Sequence, residues 1–368
     1  PPGIAFAKAF WGCLYAGAIA VPAYPPRRHR GMNRIEAIVD DAKAIMALST
    51  VDAVERAKSI LKSTDSPLNR IMWIGTDSIA DDYDPEWETP EIKPSDLAVF
   101  QYTSGSTGSP KGVMLAHENI IANCRMITKA FQSHHRDFGM AWLPVYHDMG
   151  LVGGLLNPIF TGLSALGMSP MAFLQKPVRW LQAITKHKIT ITGGPNFAYD
   201  LCTQKVTEEE MEGLDLSSLS IAYNGAEPIR SSTLEEFSKK FAKVGFDPKA
   251  FYPCYGMAEA TLIITGAERG EPYKAHSFDA DSLHEHRVVS VPPDADNARH
   301  LVSCGRILDK EEVIIVDTQT YKQLPAGEVG EIWVCSPSVG KGYWNKPGVT
   351  EQTFEAKCAD SDSGPFLR

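Results

Sequence analysis

The chain has 368 residues, 43% hydrophobic and 22% charged, with 36 Lys and Arg against 45 Asp and Glu. This balance excludes a disordered, collagen-like or disulfide-stapled chain, and the length allows two or three lobes with cores of their own. The formal charge of −9 argues against a nucleic-acid partner, because neutralising phosphates needs a basic excess.

In chain order, hydrophobic periodicity predicts a helix over 4–16, a short strand at 19–21, a helix over 32–43, a strand at 44–48, a helix over 51–62 and a strand at 71–74. Residues 77–94 are acidic, contain proline and read as a surface connection. A strand at 97–102 runs into a Gly/Ser/Thr loop, and a helix follows over 117–131. Next come a strand at 138–143, a helix over 178–187, a strand at 189–192, a helix over 196–206, a strand at 219–223 and a helix over 231–244. This alternation is the signature of βαβ units and a mostly parallel sheet. After about Gly270 helical periodicity fades, and short β runs at 288–291, 312–316 and 329–335 take over, the last two joined by a hairpin connection over 318–327. The expected fold is α/β: two α/β lobes with mostly parallel sheets, 1–188 and 189–275, packed together and followed by a β-rich lobe, 276–368.

Seven cysteines stand at 13, 124, 202, 254, 304, 335 and 358. Their odd number and the absence of C-x-x-C spacing fit reduced thiols in a cytoplasmic protein better than a disulfide framework or a zinc site. The chain opens on Pro1-Pro2-Gly3, without Met or a signal peptide, and reads as a piece of a longer protein. Residues 9–23 are apolar but carry Gly12, Gly17 and Pro22, and are too short to cross ~30 Å of hydrocarbon. Residues 149–174 lack charge but are interrupted by Asn157, Pro158, Thr161, Ser164, Ser169 and Pro170. They are expected as a buried helix pair beside a pocket, with no stable membrane insertion.

The segment Tyr102-Thr103-Ser104-Gly105-Ser106-Thr107-Gly108-Ser109-Pro110-Lys111-Gly112 follows a strand and shortly precedes a helix. Glycines let backbone approach an anion, hydroxyls and free N–H groups donate to phosphate oxygens, and Lys111 adds a charge. It is not a Walker loop: counting from Gly105 the sixth position is Pro110, and Lys111 is followed by Gly112.

Continued through Val113-Met114-Leu115-x-His117-x-Asn119, this loop resembles the signature of adenylate-forming enzymes, a superfamily of acyl-CoA synthetases, peptide-synthetase adenylation domains and luciferases. Further segments resemble its landmarks in the same order. They are Asn224-Gly225-Ala226-Glu227-Pro228, Tyr255-Gly256-Met257-Ala258-Glu259 and Gly342-Tyr343-Trp344-x-x-Pro347-x-x-Thr350-x-x-x-Phe354. Within the superfamily the chain is most similar to the fatty acyl-AMP ligases. That likeness rests on Trp142-Leu143-Pro144-x-x-His147-Asp148-Met149-Gly150-Leu151, on Gly193-Gly194-Pro195-Asn196-Phe197-Ala198-Tyr199-Asp200-Leu201-Cys202 and on Leu301-Val302-Ser303-Cys304-Gly305. An extra stretch between Gly270 and His300 falls near the place where those ligases carry an insertion. The chain stops at Phe366-Leu367-Arg368, where the family would continue into a ribose-binding Asp, a hinge and a small C-terminal domain bearing a catalytic lysine. The resemblance therefore implies the large N-terminal domain, trimmed at both ends, with a distorted barrel as its β-rich lobe.

The resemblance also implies a reaction. A fatty carboxylate attacks the α-phosphorus of ATP, pyrophosphate leaves, and the acyl adenylate passes to the phosphopantetheine thiol of an acyl carrier protein of a polyketide or lipid synthase. Positioning and charge neutralisation dominate such a displacement. Thr103, Ser104, Gly105, Ser106, Thr107, Gly108 and Lys111 would hold the phosphates, with Lys111 and His147 at the reacting groups. Gly225, Ala226, Glu227 and Pro228 would wall the adenine opposite Tyr255, flanked by Gly256, Met257 and Ala258. Glu259 would bind Mg²⁺, a hard cation that bridges phosphates. An apolar tunnel, in which each buried methylene contributes ~0.8 kcal/mol, is expected along Gly153, Gly154, Leu155, Leu156, Ile159 and Phe160, with Phe197 and Tyr199 opposite and Gly193 and Gly194 giving close passage.

Taken singly, each residue also fits a plainer role. Glu259 suits an exposed acid at a helix start, Tyr255 and the tunnel side chains suit core packing, and His147 suits a structural hydrogen bond. His134, His135, His284 and His286 read as surface residues. An acyl-CoA synthetase sharing the first half-reaction, an amino-acid-activating domain and a lipid-binding module remain open alternatives.

Overall fold

The structure, a computed structural model, describes residues 2–24, 32–62, 65–80, 87–103, 110–309, 311–361 and 363–368. The first segment contains α1 (Ile4–Tyr15), α2 (Met32–Ala42), β1 (Met46–Ser49), α3 (Val51–Leu61) and β2 (Met72–Gly75), with β1 and β2 parallel. On α3 the buried residues Ala53, Val54, Ala57 and Leu61 repeat at the spacing of an amphipathic helix.

β3 (Leu97–Thr103) and β4 (Lys111–Ala116) form an antiparallel hairpin that ends on the pair Thr103–Lys111. The Gly/Ser/Thr loop thus joins two strands, not a strand and a helix as the sequence suggested. Gly112 weakens the strand pattern of β4, but Val113, Leu115 and Ala116 are buried and fix its pairing. Next come α4 (His117–Ala130), β5 (Phe138–Ala141), a π-helical turn (Met149–Leu156), α5 (Asn157–Thr161), β6 (Ser164–Gly167), α6 (Pro170–Gln175) and α7 (Val178–His187). β7 (Ile191–Gly194), α8 (Asn196–Lys205), β8 (Ile221–Asn224), α9 (Ser231–Phe241), β9 (Phe251–Gly256) and β10 (Ile263–Gly266) follow. The expected helix pair over 149–174 is therefore the π-turn with α5, and then α6, separated by the unforeseen strand β6. No helix among the described residues is long and apolar enough to cross a membrane.

The last part holds β11 (Ala275–Asp279), α10 (Ala280–His284), β12 (Ala298–Val302), β13 (Arg306–Ile307), β14 (Glu312–Val316), β15 (Glu331–Cys335) and α11 (Pro347–Phe354). It is rich in β-structure, but no closed barrel forms among the described residues: β11–β12 and β14–β15 are separate antiparallel pairs. The run expected at 288–291 makes only a bridge from Ser290 to Phe278, and that at 19–21 only a bridge from Ala20 to Val99. Prolines follow both runs, Pro292 and Pro22, and a proline cannot donate to a ladder.

Seven strands make the large sheet, in the order β13-β10-β9-β8-β7-β5-β6. From β6 to β9 all pairs are parallel, and β10 and β13 add antiparallel. The expected division at 188/189 falls between strands of this one sheet. Side chains alternate between its faces. Met140, Ala222 and Phe251 join an aromatic core with Trp180, Tyr199 and Phe237. Ile191, Ile221 and Tyr252 instead join Ile127 and Phe131 of α4. Helices on both faces explain why these strands read as nearly continuous apolar runs.

Candidate active site

Thr103 ends β3 and Lys111 opens β4 opposite it. Ser104, Gly105, Ser106, Thr107 and Gly108 lie outside the described residues. The segment 341–344 runs along β4: Lys341 N donates to Met114 O and Trp344 N to Gly112 O, both at 2.8 Å. This docking places the Tyr343 ring 5.0 Å from Lys111 Nζ, a cation over an aromatic face. The Tyr343 hydroxyl donates to Glu259 Oε1 at 2.7 Å. Burial and the adjacent Glu259 push that hydroxyl far above the usual tyrosine range, so it remains a donor. Three distant sequence motifs therefore meet as a cation, a ring and a carboxylate. The sequence reading gave Tyr343 no chemical role.

Beside this cluster lies a cleft with about 1100 Å³ of empty space, its open mouth included, between the sheet, α4 and the π-turn. Parallel strands give it two distinct ends. At their C-terminal edge stand Gly225 and Ala226 after β8, Tyr255 and Gly256 of β9, and His147 with Asp148. This is the edge where open α/β sheets bind ligands. A Cβ on Gly225 would lie 2.9 Å from Cys254 O, so only glycine lets the chain turn this close to β9. Ala226 follows with a φ of +67°.

Toward the N-terminal edge the cleft is apolar, lined by Gly139, Leu163, Ile191 and, from the end of α4, Ile127 and Phe131. None of these was expected. The available signal was the spacing Ile120, Cys124, Ile127, Phe131, an apolar stripe along one helix.

His147 follows β5, with Nδ1 2.7 Å from Asp148 Oδ1. Asp148 Oδ1 also accepts from Met149 N at 2.6 Å, which starts the π-turn. The bond to Asp148 raises the His147 pKa above its ordinary value, with burial opposing.

The packing places the other named residues as follows. Among the tunnel residues named, Gly153 and Gly154 line the cleft. Ile159 is 51% exposed, and Phe197 is 41% exposed and sits edge-on to Trp142. Tyr199 is buried among Trp180, Phe237 and Phe251, and its hydroxyl donates to Tyr223 O at 2.8 Å. Gly193 and Gly194 are closed to a side chain by the protein itself. A Cβ on Gly193 would lie 2.1 Å from Tyr223 O and 2.6 Å from its ring, and one on Gly194 2.6 Å from the Trp142 ring. Glu227 Oε1 accepts from Phe197 N at 2.6 Å, at the start of α8. Pro228 is exposed, Met257 half-buried and Ala258 buried, and none of the three lines the cleft.

Between Glu259 and Leu262 the chain makes a tight three-residue turn. Thr261 has φ +70° and ψ −58°, and Leu262 N donates to Ala260 O at 2.8 Å. Such a γ-turn is rare, and its strain is of the order of 1–3 kcal/mol. Buried bonds hold it in place. Thr261 Oγ1 donates to Ser338 O at 2.6 Å, and Asn123 Nδ2 donates to Ala260 O at 3.2 Å and Ile263 O at 2.9 Å. Asn119, one helical turn earlier, donates to Pro337 O and Val339 O, each at 2.9 Å. The turn thereby sets both Glu259 and Leu262, a wall of the cleft.

Residues 1–344 match the AMP-binding enzymes, and the chain belongs to that family. Over its whole length it is 42% identical to the medium-chain-fatty-acid–acyl-carrier-protein ligase JamA of Moorena producens, covering 63% of that protein. It is 36% identical, over 96% of its length, to the long-chain-fatty-acid–AMP ligase of Mycolicibacterium smegmatis, covering 57% of it. The fatty acyl-adenylate ligase from L. pneumophila, solved in complex with acyl adenylate and pyrophosphate, matches with a TM-score of 0.93 at 44% identity, over the whole chain and 63% of that protein. The chain thus spans less than two thirds of the length of these relatives.

Among the described residues no three His, Cys, Asp or Glu side chains converge into a metal cage. Glu259 offers a carboxylate on the hydroxyl of Tyr343, whose ring faces Lys111. That donor set suits Mg²⁺, which takes one or two carboxylates and completes its octahedron with phosphate and water oxygens.

Proposed function

We propose that the enzyme built on this chain adenylates a fatty acid. A carboxylate oxygen attacks the α-phosphorus of ATP, the bond to the β-phosphate oxygen breaks, and pyrophosphate departs. The acyl group of the resulting adenylate then moves to the phosphopantetheine thiol of an acyl carrier protein in lipid or polyketide synthesis, releasing AMP. One observation carries this reading: a single cleft joins a polar C-terminal strand edge to an apolar end. The L. pneumophila ligase, solved with an acyl adenylate, shares this fold.

In this reading Tyr255 and the Gly225–Ala226 backbone face the adenine. Thr103 and Lys111, with the loop between them, meet the leaving phosphates. His147, held by Asp148, which raises its pKa, faces the carboxylate or α-phosphate oxygen. Glu259 would hold Mg²⁺, which would neutralise phosphate charge when bound. The fatty chain lies over Gly153 toward Phe131. The seven cysteines are all free, which supports action in the cytoplasm.

Pyrophosphate release by the full-length natural protein with ATP and decanoate tests the first half. Mass spectrometry of a carrier protein offered together with CoA tests the second. Acylated carrier is the expected product. No pyrophosphate with any fatty acid would overturn adenylation, and preferential acyl-CoA formation would overturn the acceptor.

A further inference from the structure

At the apolar end of the cleft stands a group of packed rings. Phe131 caps α4, is buried, and stacks on Tyr223 with ring centroids 6.3 Å apart. Its other side meets Tyr252 edge-to-face at 4.8 Å. Behind this pair is a second cavity, about 640 Å³ including its open mouth, lined by Tyr252, Met126, Ala130, Gly266, Ile307 and Leu308 among others. Five charged residues also line it: Lys129 pairs with Asp309, Arg306 with Glu268, and Arg269 with Asp137. The Tyr252 hydroxyl is buried and has no hydrogen-bond partner among the described residues. The partition between the two cavities is therefore two rings thick and held by packing.

We infer that Phe131 is the chain-length stop of the acyl cleft, and that trimming its ring frees room there for further carbons against Tyr252. The inference rests on the fatty-acid reading above. The ring lines the cleft together with Ile127, Leu163 and Ile191 and packs on Tyr223 and Tyr252, so an extending chain that reaches it meets aromatic surface.

The test compares wild-type, Phe131→Leu and Phe131→Ala forms of the full-length natural protein. Pyrophosphate release is measured with octanoate, decanoate, dodecanoate, tetradecanoate and hexadecanoate. Each newly buried methylene changes binding roughly fourfold. Phe131→Ala should therefore raise the kcat/KM ratio of hexadecanoate to decanoate by at least ~tenfold, and Phe131→Leu by a smaller factor in the same direction. The Leu form is the milder change and carries the test if the Ala form does not fold. A wild type active on decanoate whose length profile is unchanged in the folded variants overturns the stop alone. A wild type that releases no pyrophosphate with any acid overturns the fatty-acid reading and the stop together.

Discussion

Against α7, α8 and α9 the large sheet packs Trp142, Phe173, Trp180, Tyr199, Phe237 and Phe251, all fully buried. Successive rings there lie between 4.0 and 6.0 Å apart. Against α4 and the π-turn, alternate residues of the same strands face a cleft lined by Gly139, Gly153 and Gly154. Gly194 and Gly153 show two reasons for a glycine. Gly194 is small because Trp142 occupies the place of its side chain. At Gly153 a Cβ would meet only Leu262 Cδ2 at 3.4 Å, an ordinary contact. Small residues in a motif therefore do not by themselves mark a ligand: Gly154, which also lines the cleft, is closed to a Cβ by Ala141 at 2.6 Å.

The largest expected effect breaks the solid side. Trp180 packs on Trp142, Phe173 and Tyr199, and its Nε1 donates to Thr192 Oγ1 at 2.9 Å. Trp180→Ala should cost about 3–5 kcal/mol in chemical denaturation. A loss below ~1 kcal/mol would mean that this face tolerates voids as the other does.

A paired substitution sharpens the comparison. Gly194→Ala forces a methyl to 2.6 Å from Trp142 Cζ2, and should destabilise by about 1–3 kcal/mol. Gly153→Ala should stay within about 0.5 kcal/mol of wild type, while slowing use of the longest accepted acids. Equal stability losses at both positions would erase the distinction between the faces.

The smallest effect concerns the cleft mouth, where His147 is half-exposed and its pairing is partly screened by solvent. A histidine pKa raised in the folded state contributes stability that is fully present below the unfolded value of about 6.5. That contribution fades as pH climbs through the higher folded value. Proton NMR should show the His147 midpoint above 6.5 in the wild type and nearer to it in Asp148→Asn, with this pH dependence of stability reduced in the variant. Identical midpoints in both proteins would separate His147 from Asp148.

Local chemistry explains which parts were readable. α7 and β14 fall at their expected bounds because each carries a strong local pattern, such as Val178, Leu181 and Ile184 on one helix face. β9 and β10 carry no such pattern, since Pro253 and Gly256 interrupt the first and the second spans four residues. The polar edge of the cleft was legible through His147, Gly225, Ala226, Tyr255 and Gly256, because turns that approach a ligand need particular residues at fixed spacing. The apolar end was not. Ile127, Leu163 and Ile191 are distant in sequence and adjacent only through the order of strands. Tyr199 lies buried in the aromatic core and Phe197 half-exposed beside Trp142, because a motif names residues without saying which way a helix turns them.

The turn at Thr261 makes one small hinge serve two addresses. Its dihedrals are shared by Glu259 on one side and Leu262 on the other, and Asn123 and Ser338 leave it little slack. A ligand atom that displaces Leu262 therefore works against the same backbone that aims the carboxylate. Were binding at either end to favour one position of this turn, it would change affinity at the other, and by linkage the two effects would be equal.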